Sequence, residues 1–158
     1  MRIRELRAED RRPIGTILRA TGMFYEEEVL VALELVDIAL DRPDQADYVF
    51  LCAEDEGRLA AYACYGPVPA TDRAWDLYWI AVDPALQGRG IGRALIEAME
   101  KDLRRRGARK VFLDTSGRDA YTPTRRFYDT IGYTVAARIA DFYRAGDDKV
   151  IYTRNIEP

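Results

Sequence analysis

The stretch Gln87-Gly88-Arg89-Gly90-Ile91-Gly92 constrains this chain more than any other. An apolar, aromatic strand pattern from Asp76 to Val82 runs into it. A helical pattern leaves it, with Ile91, Leu95, Met99 and Leu103 at spacings of four. Glycines at alternate positions let a backbone bend freely and approach a ligand with no Cβ in the way. A helix that begins there points its unpaired N–H groups and the positive end of its dipole at the same place. The combination predicts an anion site, and phosphate is the common occupant.

Spacing excludes two phosphate loops. A dinucleotide fingerprint needs a glycine three residues after a G-x-G pair; Arg93 and Leu95 stand there instead. A P-loop starting at Gly88 needs glycine at position 93, which is Arg93. What remains is Gln-x-x-Gly-x-Gly at a strand-to-helix junction.

Composition narrows the chemistry. The chain has no histidine, which removes His-based triads, the common zinc sites and any His general base. A catalytic device here uses carboxylate, tyrosine, serine or backbone groups, and no metal is expected. Cys52 and Cys64 lie in apolar strand-like runs, where a reduced, buried thiol is the expected state. A net charge of −3 argues against nucleic acid as a partner. No apolar run has membrane-spanning length and no signal peptide pattern opens the sequence, so no membrane partner and a cytoplasmic location are expected.

At 158 residues the chain reads as one domain, 1–158. Strand patterns cover Ile3 to Arg7, Tyr48 to Ala53, Leu59 to Tyr65, Asp76 to Val82, Lys110 to Asp114, Thr134 to Phe142 and Val150 to Asn155. Helical patterns cover Pro13 to Ala20, Tyr25 to Leu40, Gly90 to Arg106 and Thr122 to Ile131, the last with Thr122 as N-cap. Glu54 to Gly57 reads as a hairpin turn, and Gly146-Asp147-Asp148 as the turn between the last two strands. The order β-α-α-β-β-β-α-β-α-β-β predicts a mixed α/β sheet with helices on both faces.

Gln87 to Gly92 matches the signature [Gln/Arg]-x-x-Gly-x-[Gly/Ala], and here the chain resembles the GNAT superfamily of acetyl-CoA-dependent N-acetyltransferases. Ile80-Ala81-Val82-Asp83-Pro84 resembles that family's preceding strand end. Arg93-Ala94-Leu95-Ile96 resembles its helix start, and Arg126-Phe127-Tyr128 through Gly132-Tyr133 resembles its distal segment. The resemblance implies a mostly antiparallel sheet of about seven strands and acetyl-CoA as cosubstrate. It implies that Gln87 shapes the turn while the amides of Gly88, Arg89, Gly90, Ile91, Gly92 and Arg93 hold the pyrophosphate. It also implies that the main chain of Ile80, Ala81 and Val82 holds the acetyl carbonyl and pantetheine arm, in a splay between two strands. Ser116 falls where the family often has a Ser or Asn near the cofactor; a plain turn role is the alternative.

Acetyl transfer needs a neutral amine, an oxyanion donor and a proton for the leaving thiolate. Tyr128 matches the family's general acid, against the alternative of an aromatic core residue. Asp76 stands at the strand position where several members carry a glutamate base; an idle acid at a strand start is the alternative. On the acceptor side, Phe24, Tyr25, Tyr78 and Tyr121 are the candidate contacts, and Glu26 to Glu28 read as first-turn dipole charge. The expected function is direct acetyl transfer to a primary amine, a small molecule in the first reading. A protein N-terminus or lysine as acceptor is one alternative, and a non-catalytic acyl-CoA-binding regulatory domain is another. Dimers are common in the family; the sequence leaves a homodimer open.

Overall fold

The computed structural model describes residues 1–157. Its elements are β1 (Arg2–Arg4), α1 (Arg11–Ala20), α2 (Glu26–Asp41), β2 (Val49–Asp55), β3 (Arg58–Pro67), β4 (Ala74–Val82), α3 (Ile91–Arg105), β5 (Lys110–Ser116), α4 (Thr122–Thr130), β6 (Thr134–Arg144) and β7 (Asp147–Asn155). Short 3-10 turns precede α1, α3 and α4. The element order is the predicted one. The strands form one sheet in the order β1-β2-β3-β4-β5-β7-β6. β4 and β5 run parallel, and the ladders β1–β2, β2–β3, β5–β7 and β6–β7 are antiparallel.

The turns are tighter than the sequence reading has them. Asp55 pairs with Arg58, so the β2–β3 turn shrinks to Glu56 and Gly57, whose φ values are +50° and +78°. Both residues at positive φ is the twist that a two-residue hairpin needs. Asp147 likewise pairs with Arg144 and opens β7, which leaves Ala145 and Gly146 as the turn. Tyr121, not Thr122, caps α4; Thr122 is its first helical residue, and its hydroxyl accepts from Arg125 Nη2 at 3.1 Å.

The chain divides into two compact units, residues 1–66 with 78–102 and residues 67–77 with 103–158. In the first unit, strand alternation sends Phe50, Cys52, Tyr62 and Cys64 to the face covered by Ile14, Leu18, Val29, Leu33 and Val36 of α1 and α2. The opposite face carries Ala53, Ala60 and Ala61 against Ile91 and Leu95 of α3. The small alanines let the α3 backbone come close to the sheet. Arg4 donates two hydrogen bonds to the buried Asp10, at 2.7 and 2.9 Å, and one to Glu54 at 2.8 Å. Burial alone would raise the Asp10 carboxyl, but Arg4 and the Arg7 N–H outweigh it and hold the group below its usual range.

Among the described residues, one buried side-chain polar atom in this unit has no partner. The Tyr62 hydroxyl makes no hydrogen bond, although its side chain is fully enclosed. A stranded hydroxyl costs about 1–3 kcal/mol. Tyr62→Phe is therefore expected to stabilise the protein by about 1 kcal/mol, read as a Tm rise of roughly 2–4 °C; a lower Tm would contradict this.

In the second unit, Val111, Leu113, Tyr152, Tyr133 and Tyr128 are buried. Tyr128 of α4 has its ring centroid 5.6 Å from Tyr152 and 5.8 Å from Tyr133. β6 is exposed along its whole length. Among the described residues no helix is long and apolar enough to cross a membrane.

Candidate active site

The glycine loop belongs to the first unit and is held from behind. At the end of β4 the Asp83 N–H donates to the Ala60 carbonyl at 2.8 Å, and the Asp83 carboxylate accepts from the Ala85 N–H at 2.9 Å. Buried Leu86 and Ile91 pin the two ends of the loop, and residues 87–90 between them are exposed. Gln87 Nε2 reaches back to the Val82 carbonyl at 3.5 Å, so this residue braces the turn. Arg89 pairs with Asp55 at 3.3 Å, which ties the loop to the β2–β3 turn.

Gly88 and Gly90 have φ of +75° and +79°, and a Cβ placed on either would meet nothing within 4 Å. The backbone here therefore faces open space in a conformation that side chains rarely adopt. The Ala94 N–H donates to the Gly90 carbonyl at 3.0 Å and closes the first helical turn. The amides of Ile91, Gly92 and Arg93 precede it and have no carbonyl one turn back. They present donors and a positive dipole end on the exposed side of the loop.

Ile80 and Val82 pack their side chains with the α3 cluster, and Ala81 packs with the α1–α2 cluster. The β4–β5 ladder ends at Leu77↔Leu113. Phe24 meets the Trp79 ring edge-on at 5.4 Å, and Tyr78 meets Tyr48 at 5.7 Å. Tyr25 is exposed at the start of α2, and its N–H donates to Glu28 at 2.7 Å. Glu26 pairs with Arg19 at 2.6 Å. Glu26 and Glu28 both lie in the first turn of α2.

The second unit holds the titratable candidates. Tyr128 is buried, and its hydroxyl has no hydrogen-bond partner among the described residues. Burial, with Tyr152 beside it, pushes the phenol well above its usual range, so it stays protonated at any working pH. Asp76 is half-buried on β4, and its carboxylate too has no hydrogen-bond partner among the described residues. Burial and the neighbouring Asp114 raise its pKa, and Lys149 partly counters them. This is a different setting from an idle, solvated strand-start acid.

Ser116 is buried and already engaged. Its Oγ donates to Asp147 at 2.5 Å and accepts from the Arg118 N–H at 3.1 Å. Arg125 Nη1 donates to the Ser116 and Arg118 carbonyls at 2.7 and 2.9 Å. Tyr121 lies under the Arg118 guanidinium, 5.4 Å from ring centroid to Cζ. Among the described residues no cluster of three or more His, Cys, Asp or Glu side chains could hold a metal.

The family model for the GNAT acetyltransferase family matches residues 7–133. The chain belongs to the GNAT family. A crystal structure of a GNAT-assigned protein from Desulfovibrio desulfuricans is 43% identical, with TM-score 0.95 and 99% of each chain covered. An aminoglycoside 6′-N-acetyltransferase complexed with coenzyme A shares the fold, at TM-score 0.80 and 18% identity over 100% of this chain and 98% of that one. The glucosamine 6-phosphate N-acetyltransferase of Trypanosoma brucei brucei is 29% identical, covering 85% of this chain and 91% of its own. The ribosomal protein bS18-alanine N-acetyltransferase of Escherichia coli is 32% identical over 59% of this chain. This GNAT chain spans 60% of that relative's length and 30% of the mycothiol acetyltransferase of Amycolatopsis mediterranei, to which it is 33% identical over 54% of its own length.

Sequence reasoning missed Asp114 and Lys149 in this GNAT chain. Asp114 shares a strand face with Phe112, the register partner of Asp76, and the extension of β5 to Ser116 brings Lys149 into register on the same face. Alternation within the predicted Lys110–Asp114 strand already shows the first half of that. The β4–β5 register is not written in local sequence.

Proposed function

We propose that this protein is an acetyl-CoA-dependent N-acetyltransferase that moves the acetyl group directly to a primary amine, with a small molecule as the preferred acceptor. The observation that carries the reading is the open-faced glycine turn at the start of α3, in a chain of the GNAT family. Its donors suit a diphosphate, the group by which coenzyme A would be held. The cytoplasm, where acetyl-CoA is at hand, is the matching location, and residues 1–158 act as one catalytic domain.

The proposed roles follow from the chemistry. The main chain of residues 80–82 binds the acetyl carbonyl and pantetheine. Tyr128, held protonated, gives its proton to the leaving thiolate. Asp76 faces a harder task. An alkylammonium has a pKa of about 10.4 and an ordinary Asp about 3.9, a gap of roughly 9 kcal/mol at 1.36 kcal/mol per unit. A raised Asp76 pKa narrows the gap. Asp76 then takes the amine's proton through a water as the C–N bond forms. Phe24, Tyr25, Tyr78 and Tyr121 are the proposed acceptor contacts, and Ser116 supports the cofactor side through the turn it fixes.

Calorimetric titration with acetyl-CoA, followed by thiol release across an amine panel, tests the proposal; no binding of any acyl-CoA would end it. Gly90→Val is expected to weaken acetyl-CoA binding about 100-fold, equivalent to about 2.7 kcal/mol, because the branched side chain fills the space that the amides face. The backbone strain at positive φ adds a stability loss of about 1–3 kcal/mol. Unchanged affinity in a folded Gly90→Val protein would remove the loop from the donor site.

A further inference from the structure

One face of the second unit carries its own ammonium ion. Asp76 stands opposite Phe112 in the β4–β5 register, while Asp114 and Ser116 stand opposite Ile151 and Lys149 in the β5–β7 register. Strand alternation puts Phe112, Asp114, Lys149 and Ile151 on one face. Lys149 Nζ lies 3.0 Å from Asp114 Oδ2 and 4.4 Å from the centre of the Phe142 ring. A carboxylate on one side and an aromatic face on the other is an arrangement that retains a cation. The Asp114 charge is thereby matched within the chain. Among the described residues Asp76 keeps an unpaired carboxylate, and the other charged side chain on this face of β5, Lys110, lies over the Phe112 ring at 5.7 Å.

We propose that Lys149 selects the charge of the acceptor: by closing on Asp114 it leaves one carboxylate, Asp76, for the substrate, so that monocationic amines are taken and diamines are disfavoured. This rests on the reading of Asp76 as the acceptor-side acid. A second ammonium on the acceptor has Lys149 as a like-charged neighbour and finds no free carboxylate. Removing the lysine charge would release Asp114 and reverse the preference. The selection concerns binding, so it falls on KM more than on kcat.

The test compares linear monoamines with diamines of equal carbon number, for the unaltered protein, Lys149→Met and Lys149→Arg. The diamine-to-monoamine ratio of kcat/KM is expected to rise at least tenfold in Lys149→Met, carried by KM, and to stay within threefold in Lys149→Arg. A ratio within threefold in Lys149→Met overturns the proposal. A second measurement needs no turnover: carboxyl-carbon NMR titration of Asp76 in the free protein. Its midpoint is expected to move up in Lys149→Met, because the cation that lowers it is gone, and to hold in Lys149→Arg. An unmoved midpoint in Lys149→Met also overturns the proposal. Should the unaltered protein acetylate no amine at all, the functional reading fails, while the NMR titration still decides whether Lys149 governs Asp76. Lys149→Gln replaces the Met variant if circular dichroism shows the latter unfolded.

Discussion

Alanine at position 66 is expected to destabilise the protein by about 3 kcal/mol or more, lowering Tm by roughly 6–12 °C. Gly66 lies near the end of β3, where a Cβ would sit 1.9 Å from the Asp47 carbonyl oxygen and 2.9 Å from Tyr78 Cε2. Neither neighbour can give way cheaply. The first is backbone, and the second is a ring already set edge-on against Tyr48. The strand end, the segment before β2 or the Tyr78 ring must shift, and the smallest possible side chain is enough to force it. Thermal unfolding of Gly66→Ala followed by circular dichroism measures the effect; a Tm within 2 °C or so of the unaltered protein would mean that residue 47 lies elsewhere. The displaced ring is also a proposed acceptor contact, so surviving Gly66→Ala protein is expected to show a raised KM for the amine.

Tyr128→Phe is expected to lower kcat about 100-fold, the lower end of what a positioned general acid contributes, while Tm does not fall. The two halves of that statement come from one observation. The Tyr128 hydroxyl has no hydrogen-bond partner among the described residues, so its removal strands nothing and leaves the tyrosine cluster filled. A structural hydroxyl would show the reverse pattern, with stability lost and rate kept. Steady-state thiol release and a melting curve on the same preparation separate the cases; full kcat in Tyr128→Phe would take the residue out of the mechanism. Burial holds the phenol protonated, so loss of rate at high pH is not expected to come from this group.

The sequence carried the order of elements because each one has a strong local period. Ile91, Leu95 and Met99 could only make a helix face, and the Tyr48–Ala53 and Leu59–Tyr65 runs could only pair across a turn. The ends were less legible. The β2–β3 turn lost Glu54 and Asp55 to the strands because cross-strand pairing continues up to two residues at positive φ. β4 begins at Ala74 because Ala74 and Trp75 pair with Lys110 and Val111 of a strand far along the chain. The candidate site divides the same way. The glycine loop is a local object and was readable as such. The Asp76, Asp114 and Lys149 grouping comes from three strands, and only their register brings it together. Ser116 adds contacts that reach across the chain, holding a turn through Asp147, Arg118 and Arg125.

The buried cysteines have a bearing on the product of the proposed reaction. Cys52 and Cys64 are both free thiols with no exposed surface. Burial, with Asp10 close by, pushes Cys52 up to about 12, and burial pushes Cys64 up as well. A thiol at about 12 is ionised to roughly one part in 100,000 at neutral pH, and the thiolate is the form that exchanges. On the proposed function the chain would release a free thiol at each turnover, and neither cysteine offers that thiol an accessible sulfur to couple with. Under that function oxidised coenzyme would meet no exposed cysteine on the folded chain, and a thiol-reactive dye added to the folded protein is expected to count released coenzyme alone.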